Sequence, residues 1–280
     1  MTGSPHADDL DLALSLMDVA DAMTMDTYGK AGLKIETKPD ATFVTEADQA
    51  VEHEVRARIT KARSGDAVVG EEFGTTGSGN RRWIIDPIDG THNFMRRIPV
   101  WATLLALEVD GEMTVGVVSA PSLGRRWWAA KDRGAYASSI SVGGKLSDPF
   151  PISVSQVSNL ADAQISSCGP GRWIEEGLAD NFSDLVKKCW RDRDFGDFWS
   201  HMLVAEGACD VGLDPTVSLW DLAALQVIVE EAGGTFTDFA GNARADGGSA
   251  ISTNGLLHKE VLALVGTPKH ARDAARHAAS

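Results

Sequence analysis

Among 280 residues there are only three cysteines and two tyrosines, and 26 lysines and arginines face 40 acids. Cys168, Cys189 and Cys209 show neither CxxC nor Cys/His ligand spacing, which argues against a disulfide framework or a zinc site and leaves buried thiols. A formal charge of −14 argues against nucleic acid as a partner, because binding a phosphate backbone requires a basic surface. No apolar run approaches the roughly 20 residues of a membrane span, so no membrane partner is expected. The opening MTGSPHADDLDLALSL lacks the basic and apolar regions of a secretory signal, and a cytoplasmic protein is expected. Internal repeats and low-complexity tracts are also missing.

What remains is an ordinary globular composition, 43% hydrophobic and 24% charged. The length permits a substantial core and lies near the size at which one domain divides into two lobes. From Asp8 to Tyr28, Leu12, Leu16, Val19 and Met23 have the spacing of one helical face, with Gly29 as a stop. Thr45 opens a second helix with Ala47, Val51, Val55 and Ile59 recurring every fourth position. Strands are expected at AVVGEEF, RRWIIDPI and WATLLALEVDGEMTVGVVSAP, where Asp110-Gly111 marks a hairpin. RRWWAA and KDRGAYA extend this half, which reads as helices on a largely antiparallel sheet.

From about residue 152 strands and helices alternate, as in an α/β lobe. AQISSCG, CWRDRDF, DVGL, GGTFTD and SAISTN read as strands. Helices are expected near Trp173 to Lys188, Phe198 to Gly207, Ser218 to Ala232 and Leu256 to Val265. SSISVGGKLSDPFP has the Gly, Ser and Pro content of a seam between lobes, which divides the chain into 1–150 and 151–280.

Chemistry concentrates in the acids. In WIIDPIDGTHNF, Asp86 and Asp89 flank a Pro-Ile step, and Pro87 fixes its own φ while pushing Asp86 toward extended backbone. Both carboxylates can then converge beyond the strand. Gly90 allows a close turn, and Thr91 begins a short helix whose free N–H groups suit phosphate. Glu71 and Glu72 follow an apolar run, and Asp221 sits in SLWDLAAL. Clustered carboxylates of this kind suit Mg²⁺. Each acid alone has a plainer explanation. Asp-Pro and Asp-Gly are turn dipeptides, Glu71 and Glu72 fit a solvated strand end, Asp221 fits a helix cap, and Thr45 to Asp48 has capping-box spacing.

Taken together, VTEAD at 44–48, GEE at 70–72, WIIDPIDGT at 83–91 and WDLAA at 220–224 resemble the inositol monophosphatase family of Mg²⁺-dependent, lithium-sensitive phosphatases across nearly the whole chain. The resemblance implies a layered αβαβα sandwich of mixed α+β and α/β character. Residues 1–150 would form the metal- and phosphate-binding lobe, and 151–280 the lobe that completes the site. Glu71, Asp86 and the Ile88 carbonyl would hold one Mg²⁺, and Asp86, Asp89 and Asp221 a second, with a third, weaker ion near Glu71. Mn²⁺ would substitute, and Li⁺ and Ca²⁺ would inhibit. A water positioned by Glu71 and Thr91 would attack phosphorus, Asp48 would orient Thr91, and backbone amides of Gly90, Thr91 and His92 would cradle the phosphate. His92 stands where many relatives have Thr or Lys, and its role stays open between substrate contact and an exposed loop. Relatives are usually homodimers.

The family places the leaving alcohol against a Gly-opened helix and an acid seven positions before the WD aspartate, here DFGDFWSHMLVAEG and Asp214. Gly196-Asp197-Phe198-Trp199 replaces the small residues of relatives that act on inositol phosphates. Asp197, Asp214 and Glu206 would put negative charge beside the leaving group, with Phe198 or Trp199 available for cation–π contact. Such a lining favours a cationic alcohol, and L-histidinol phosphate fits. DPIDGTxNF, PVWA, GVVSAP, RRWWAA, GDF and VSLWDLAAL are also similar to the actinobacterial histidinol-phosphate phosphatases of this family. The alternative for Asp197 is a helix cap. The rival functions are hydrolysis of inositol-1-phosphate, 3′-phosphoadenosine 5′-phosphate or fructose bisphosphate, or a non-catalytic regulatory or RNA-associated role.

Overall fold

A computed structural model describes residues 6–38 and 43–266; the first five residues, where no secretory signal is expected, and part of the loop before Thr45 lie outside them. The chain opens with α1 (Ala7–Thr27), β1 (Ile35–Thr37), β2 (Phe43–Thr45), α2 (Glu46–Ala62), β3 (Ala67–Gly70), β4 (Gly74–Thr76), β5 (Arg81–Asp89) and α3 (Thr91–Arg96). A run of strands follows: β6 (Ala102–Val109), β7 (Glu112–Ala120), β8 (Arg125–Ala130), β9 (Ala135–Ser139), β10 (Phe150–Ile152) and β11 (Gln164–Ser167). The remainder comprises α4 (Pro170–Glu175), α5 (Ala179–Val186), β12 (Arg191–Arg193), α6 (Asp197–Ala205), β13 (Val211–Asp214), α7 (Leu219–Glu231), β14 (Thr235–Thr237), β15 (Ala250–Thr253) and α8 (His258–Val265).

Strands β10-β9-β8-β7-β6-β5-β3-β4 form an eight-stranded sheet, antiparallel except where β3 runs parallel to β5. Asp110 and Gly111 both take positive φ, 54° and 84°, which matches the twist of the β6–β7 hairpin they join. Consecutive residues such as Ile84 and Ile85, or Leu104 and Leu105, are all buried. A strand can be apolar on successive positions only when both sheet faces are covered. On one face Ile85, Leu105 and Val117 pack with α1 and α2; on the other Ile84, Leu104 and Val118 pack with α6 and α7. The second sheet, β12-β11-β13-β15-β14, is covered on its far face by α4, α5 and α8 through Trp173, Leu185 and Val261. The layers therefore run helix, sheet, helix, sheet, helix. Among the described residues no helix is long and apolar enough to cross a membrane.

The short strands β1, β2 and β4 were not expected, and three further stretches differ from the sequence expectation. The buried face of α1 is Ala13, Leu16, Met17, Ala20 and Thr24, whereas Leu12, Val19 and Met23 are only half-buried. Small residues let α1 approach α2 closely, and they carry little weight in a hydrophobic pattern. The helix expected near Trp173 to Lys188 is two helices, because Gly177 turns to φ 69° and breaks the run. SSISVGGKLSDPFP is no seam between sheets: it joins β9 to β10, which pair with each other at the edge of the first sheet. The chain crosses to the second sheet only after Ile152.

Candidate active site

The β5 strand carries its last acids out of the core through an irregularity. Asp86 pairs with Leu104 and Asp89 with Ala102, so the register shifts between them, at the proline that has no N–H to give a ladder. Three hydrogen bonds fix this turn. The Ile88 N–H donates to Asp86 Oδ1 at 3.0 Å, the Thr103 hydroxyl to the Pro87 carbonyl at 2.8 Å, and the Thr91 hydroxyl to the Ile88 carbonyl at 3.0 Å. Gly90 follows at φ 82°, where a Cβ would lie 2.9 Å from the Val100 carbonyl oxygen and 3.0 Å from the Asp197 carboxylate. Only glycine satisfies both the left-handed backbone and the space.

Asp221 comes to the same point from the first turn of α7, where its Oδ2 accepts the Ser218 N–H at 2.8 Å. It thus caps the helix and faces the cluster at once, so the two uses weighed for it coexist. Carboxylate oxygens of Asp86, Asp89 and Asp221 lie within 4.8 Å of one another. Burial and then the neighbouring acids raise the carboxyls of Asp86 and Asp89 far above the carboxylate range, and burial first raises Asp221 to about 7. Three oxygens gathered at a cost in repulsion fit a hard divalent cation, which takes several carboxylate ligands at once.

The remaining expected residues surround this trio. Glu71 lies outside the 4.8 Å cluster, near enough for its charge to act on Asp86 and Asp221. The Lys38 ammonium donates to it at 2.7 Å and to Glu72 at 2.6 Å. Burial alone would depress Lys38, but these two hydrogen bonds raise it. The turn holding Glu71 and Glu72 is tied down by buried Glu52, which accepts the N–H groups of Glu72 and Phe73. Gly70 is bare because a Cβ there would strike the Glu52 carboxylate at 2.1 Å. Asp48 is fully buried and closes a capping box with Thr45. Its other oxygen lies 3.4 Å from the Thr91 hydroxyl, which shares its single proton between this oxygen and the nearer Ile88 carbonyl, so capping and orientation are again compatible. Burial raises Asp48 to about 6. His92 is exposed and meets the Phe43 ring edge-on at 5.1 Å.

Beyond Asp89 and Asp221 a cavity of about 180 Å³ opens, lined also by Cys168, Arg172, Asp197, His201, Asp214 and Thr216. Asp197 does not cap its own helix; its carboxylate accepts the Asn93 amide at 2.9 Å, and burial and then Asp214 raise it to about 6. The adjacent Phe198 N–H donates to Asp89 at 2.9 Å, which links the two acidic groups through the start of α6. One expectation fails here. Glu206, at the far end of α6, is bound to the Arg125 guanidinium and the Trp127 indole instead. The Phe198 ring is buried against Trp127 while the residue also lines the cavity, and half-buried Trp199 packs on Phe195. Lys38, Asn93 and His201 were not expected at all; each is a common polar residue whose partner lies far away in the chain, and no local spacing marks it.

The inositol monophosphatase family profile matches residues 8–275. The chain is 50% identical over 261 residues to a histidinol-phosphatase of Streptomyces coelicolor, covering 92% of this chain and 96% of that one. It is 54% identical over 257 residues to a histidinol-phosphatase of Mycobacterium tuberculosis, covering 91% and 96%. Among solved structures, an IMPase of Thermotoga maritima superposes with a TM-score of 0.79 at 30% identity, over 92% of this chain and 96% of that one. With the motifs, the layers and the acid trio already in place, this protein belongs to the inositol monophosphatase family.

Proposed function

We propose that the protein is a Mg²⁺-dependent phosphomonoesterase that hydrolyses L-histidinol phosphate to L-histidinol and phosphate. One observation carries the proposal: Asp197 and Asp214 line the same cavity as Asp89 and Asp221. A phosphate seated on the trio would thus have its alcohol against further carboxylates. An ammonium and an imidazole pair with such a lining, and a polyol gains no ionic contact from it. The similarity to histidinol-phosphatases supports the same choice.

Asp86, Asp89, Asp221, Glu71 and the Ile88 carbonyl would hold two or three Mg²⁺ ions, with Asp86 shared. Bound there, such ions would supply positive charge to offset that of the phosphate and polarise its phosphorus–oxygen bonds. Glu71 and Thr91 position the attacking water, and Asp48 holds the Thr91 hydroxyl. The first turn of α3 leaves the N–H groups of Gly90, Thr91 and His92 without helical acceptors, and these meet the phosphate oxygens. Glu71 takes up this role only when Lys38 yields its hydrogen bond. We assign residues 1–150, together with the last two residues of β10, to the metal and phosphate lobe and the remainder of 151–280 to the lobe that supplies Asp221 and the alcohol pocket, and we expect a homodimer.

Phosphate release tests this with Mg²⁺ present and absent, comparing histidinol phosphate, inositol-1-phosphate, fructose-1,6-bisphosphate and 3′-phosphoadenosine 5′-phosphate. Histidinol phosphate should lead by kcat/KM. A higher value for any of the other three would overturn the substrate, and metal-independent release would overturn the mechanism.

A further inference from the structure

The alcohol pocket contains a buried histidine that the proposed chemistry leaves without a task. His201 on α6 is fully buried. Its Nε2 lies 2.7 Å from Asp214 Oδ2 on β13, and its Nδ1 lies 2.6 Å from Ser252 Oγ on β15. Gly212 on β13 makes room for the ring, since a Cβ there would come within 3.3 Å of Nδ1. A carboxylate only accepts, so in the neutral imidazole Nε2 carries the proton and Nδ1 accepts the Ser252 hydroxyl. Serine, histidine and aspartate also compose hydrolytic triads, but triads are judged by geometry and access. Ser252 is fully buried and offers no oxygen to the cavity, so it is no nucleophile.

The hydrogen-bond chain therefore ends on Asp214, which stands half-buried at the cavity wall. Asp194 and Asp197 both feel the charge of Asp214, so a free Asp214 side chain would turn away from the other two acids. Thr216 offers no alternative tether, because its hydroxyl donates to Glu176 at 2.5 Å. We propose that His201 is a positioning residue for substrate selectivity: anchored by Ser252, it grips one oxygen of Asp214 and leaves the other to meet the cationic part of the leaving alcohol. This rests on the assignment of the acidic pocket to a cationic alcohol.

The test compares kcat/KM for histidinol phosphate and for p-nitrophenyl phosphate, whose leaving group carries no cation, in wild type, His201→Phe, His201→Gln, Asp214→Asn and the double variant His201→Phe/Asp214→Asn. Losing a hydrogen bond to a charged group should lower the selectivity ratio roughly tenfold or more in His201→Phe, mainly through KM for histidinol phosphate. His201→Gln keeps an N–H donor and should recover part of the ratio. The double variant should be no less selective than Asp214→Asn alone, because the histidine acts through the aspartate. Equal losses for both substrates, or additive losses in the double variant, would overturn the role of His201. If His201→Phe does not fold, a His201→Gln ratio equal to that of Asp214→Asn would overturn it as well. A wild type inactive on histidinol phosphate would instead refute the proposed substrate, a result visible before any variant is made.

Discussion

At the scale of single residues, the site sets carboxylates against one another and leaves a cation to resolve the conflict. Removing one charge from the trio should therefore cripple cation binding before it harms the fold. Asp89→Asn is expected to lower kcat/KM roughly a hundredfold or more with an unchanged circular dichroism spectrum. Wild-type turnover at limiting Mg²⁺ would remove Asp89 from the cation site. Asp197→Ala should cost histidinol phosphate more than inositol-1-phosphate, since its carboxylate lines the cavity proposed for the alcohol; equal losses in kcat/KM would strip it of a part in selectivity. The acids were legible in the sequence because each closes an apolar run beside proline, glycine or tryptophan, and their order along the chain resembles one family. Lys38, Asn93 and His201 were not, because each gains meaning only from Glu71, Asp197 and Asp214, which folding brings near. Glu206 misled for the converse reason: its helix reaches the site, but nine residues of α6 separate its head from its foot.

Among the elements, the long central strands and the helices were legible, whereas the three-residue strands β1, β2, β4 and β10 were not. An apolar run bounded by turn residues is a strong signal, and Asp110-Gly111 marked the β6–β7 hairpin, though not the register shift at Leu107 and Glu108. Helix α1 was read only in part: Leu16 is buried and Leu12 and Met23 pack at the margin of the core, but alanines, Met17 and a threonine complete the buried face, and Asp21 is buried there by Arg126 of β8 at 2.7 Å. Helix α7 reads as apolar all round, and the structure explains it: its polypeptide lies in the central layer between two sheets. That position makes its approach to the first sheet tight. A Cβ on Gly116 of β7 would lie 2.5 Å from the Ala224 carbonyl oxygen, backbone that cannot swing aside. Gly116→Ala should therefore destabilise the protein by about 1–3 kcal/mol, read as a lower denaturant midpoint. It should also reduce activity, because α7 carries Asp221. An unchanged midpoint would mean that the α7 layer is looser than this packing requires.

For the molecule as a whole, folding concentrates acids of an already acidic chain on the central layers, and the consequence is a dependence of stability on pH that a divalent cation should reverse. In the metal-free protein burial first raises Asp221 and Glu72 to about 7 and Asp48 and Asp197 to about 6. A carboxyl whose folded value exceeds its unfolded value near 4 holds more protons in the native state across that interval. These groups make stability fall as pH rises from about 5 to about 7, and the decline continues above, where Asp86 and Asp89, raised further by burial, still hold protons in the native state. Magnesium binds the ionised carboxylates, so its stabilisation should be small at pH 5.5 and grow toward pH 8. At a hundredfold excess over Kd the gain is about 2.7 kcal/mol, or a rise in Tm of about 5 °C for a chain of this size. Thermal melts at pH 5.5 and 8, each with excess chelator or excess Mg²⁺, read both effects together. A Mg²⁺ shift of equal size at the two pH values would show that the cation does not bind where the protons are held, and the carboxylate trio would lose its place at the centre of the mechanism.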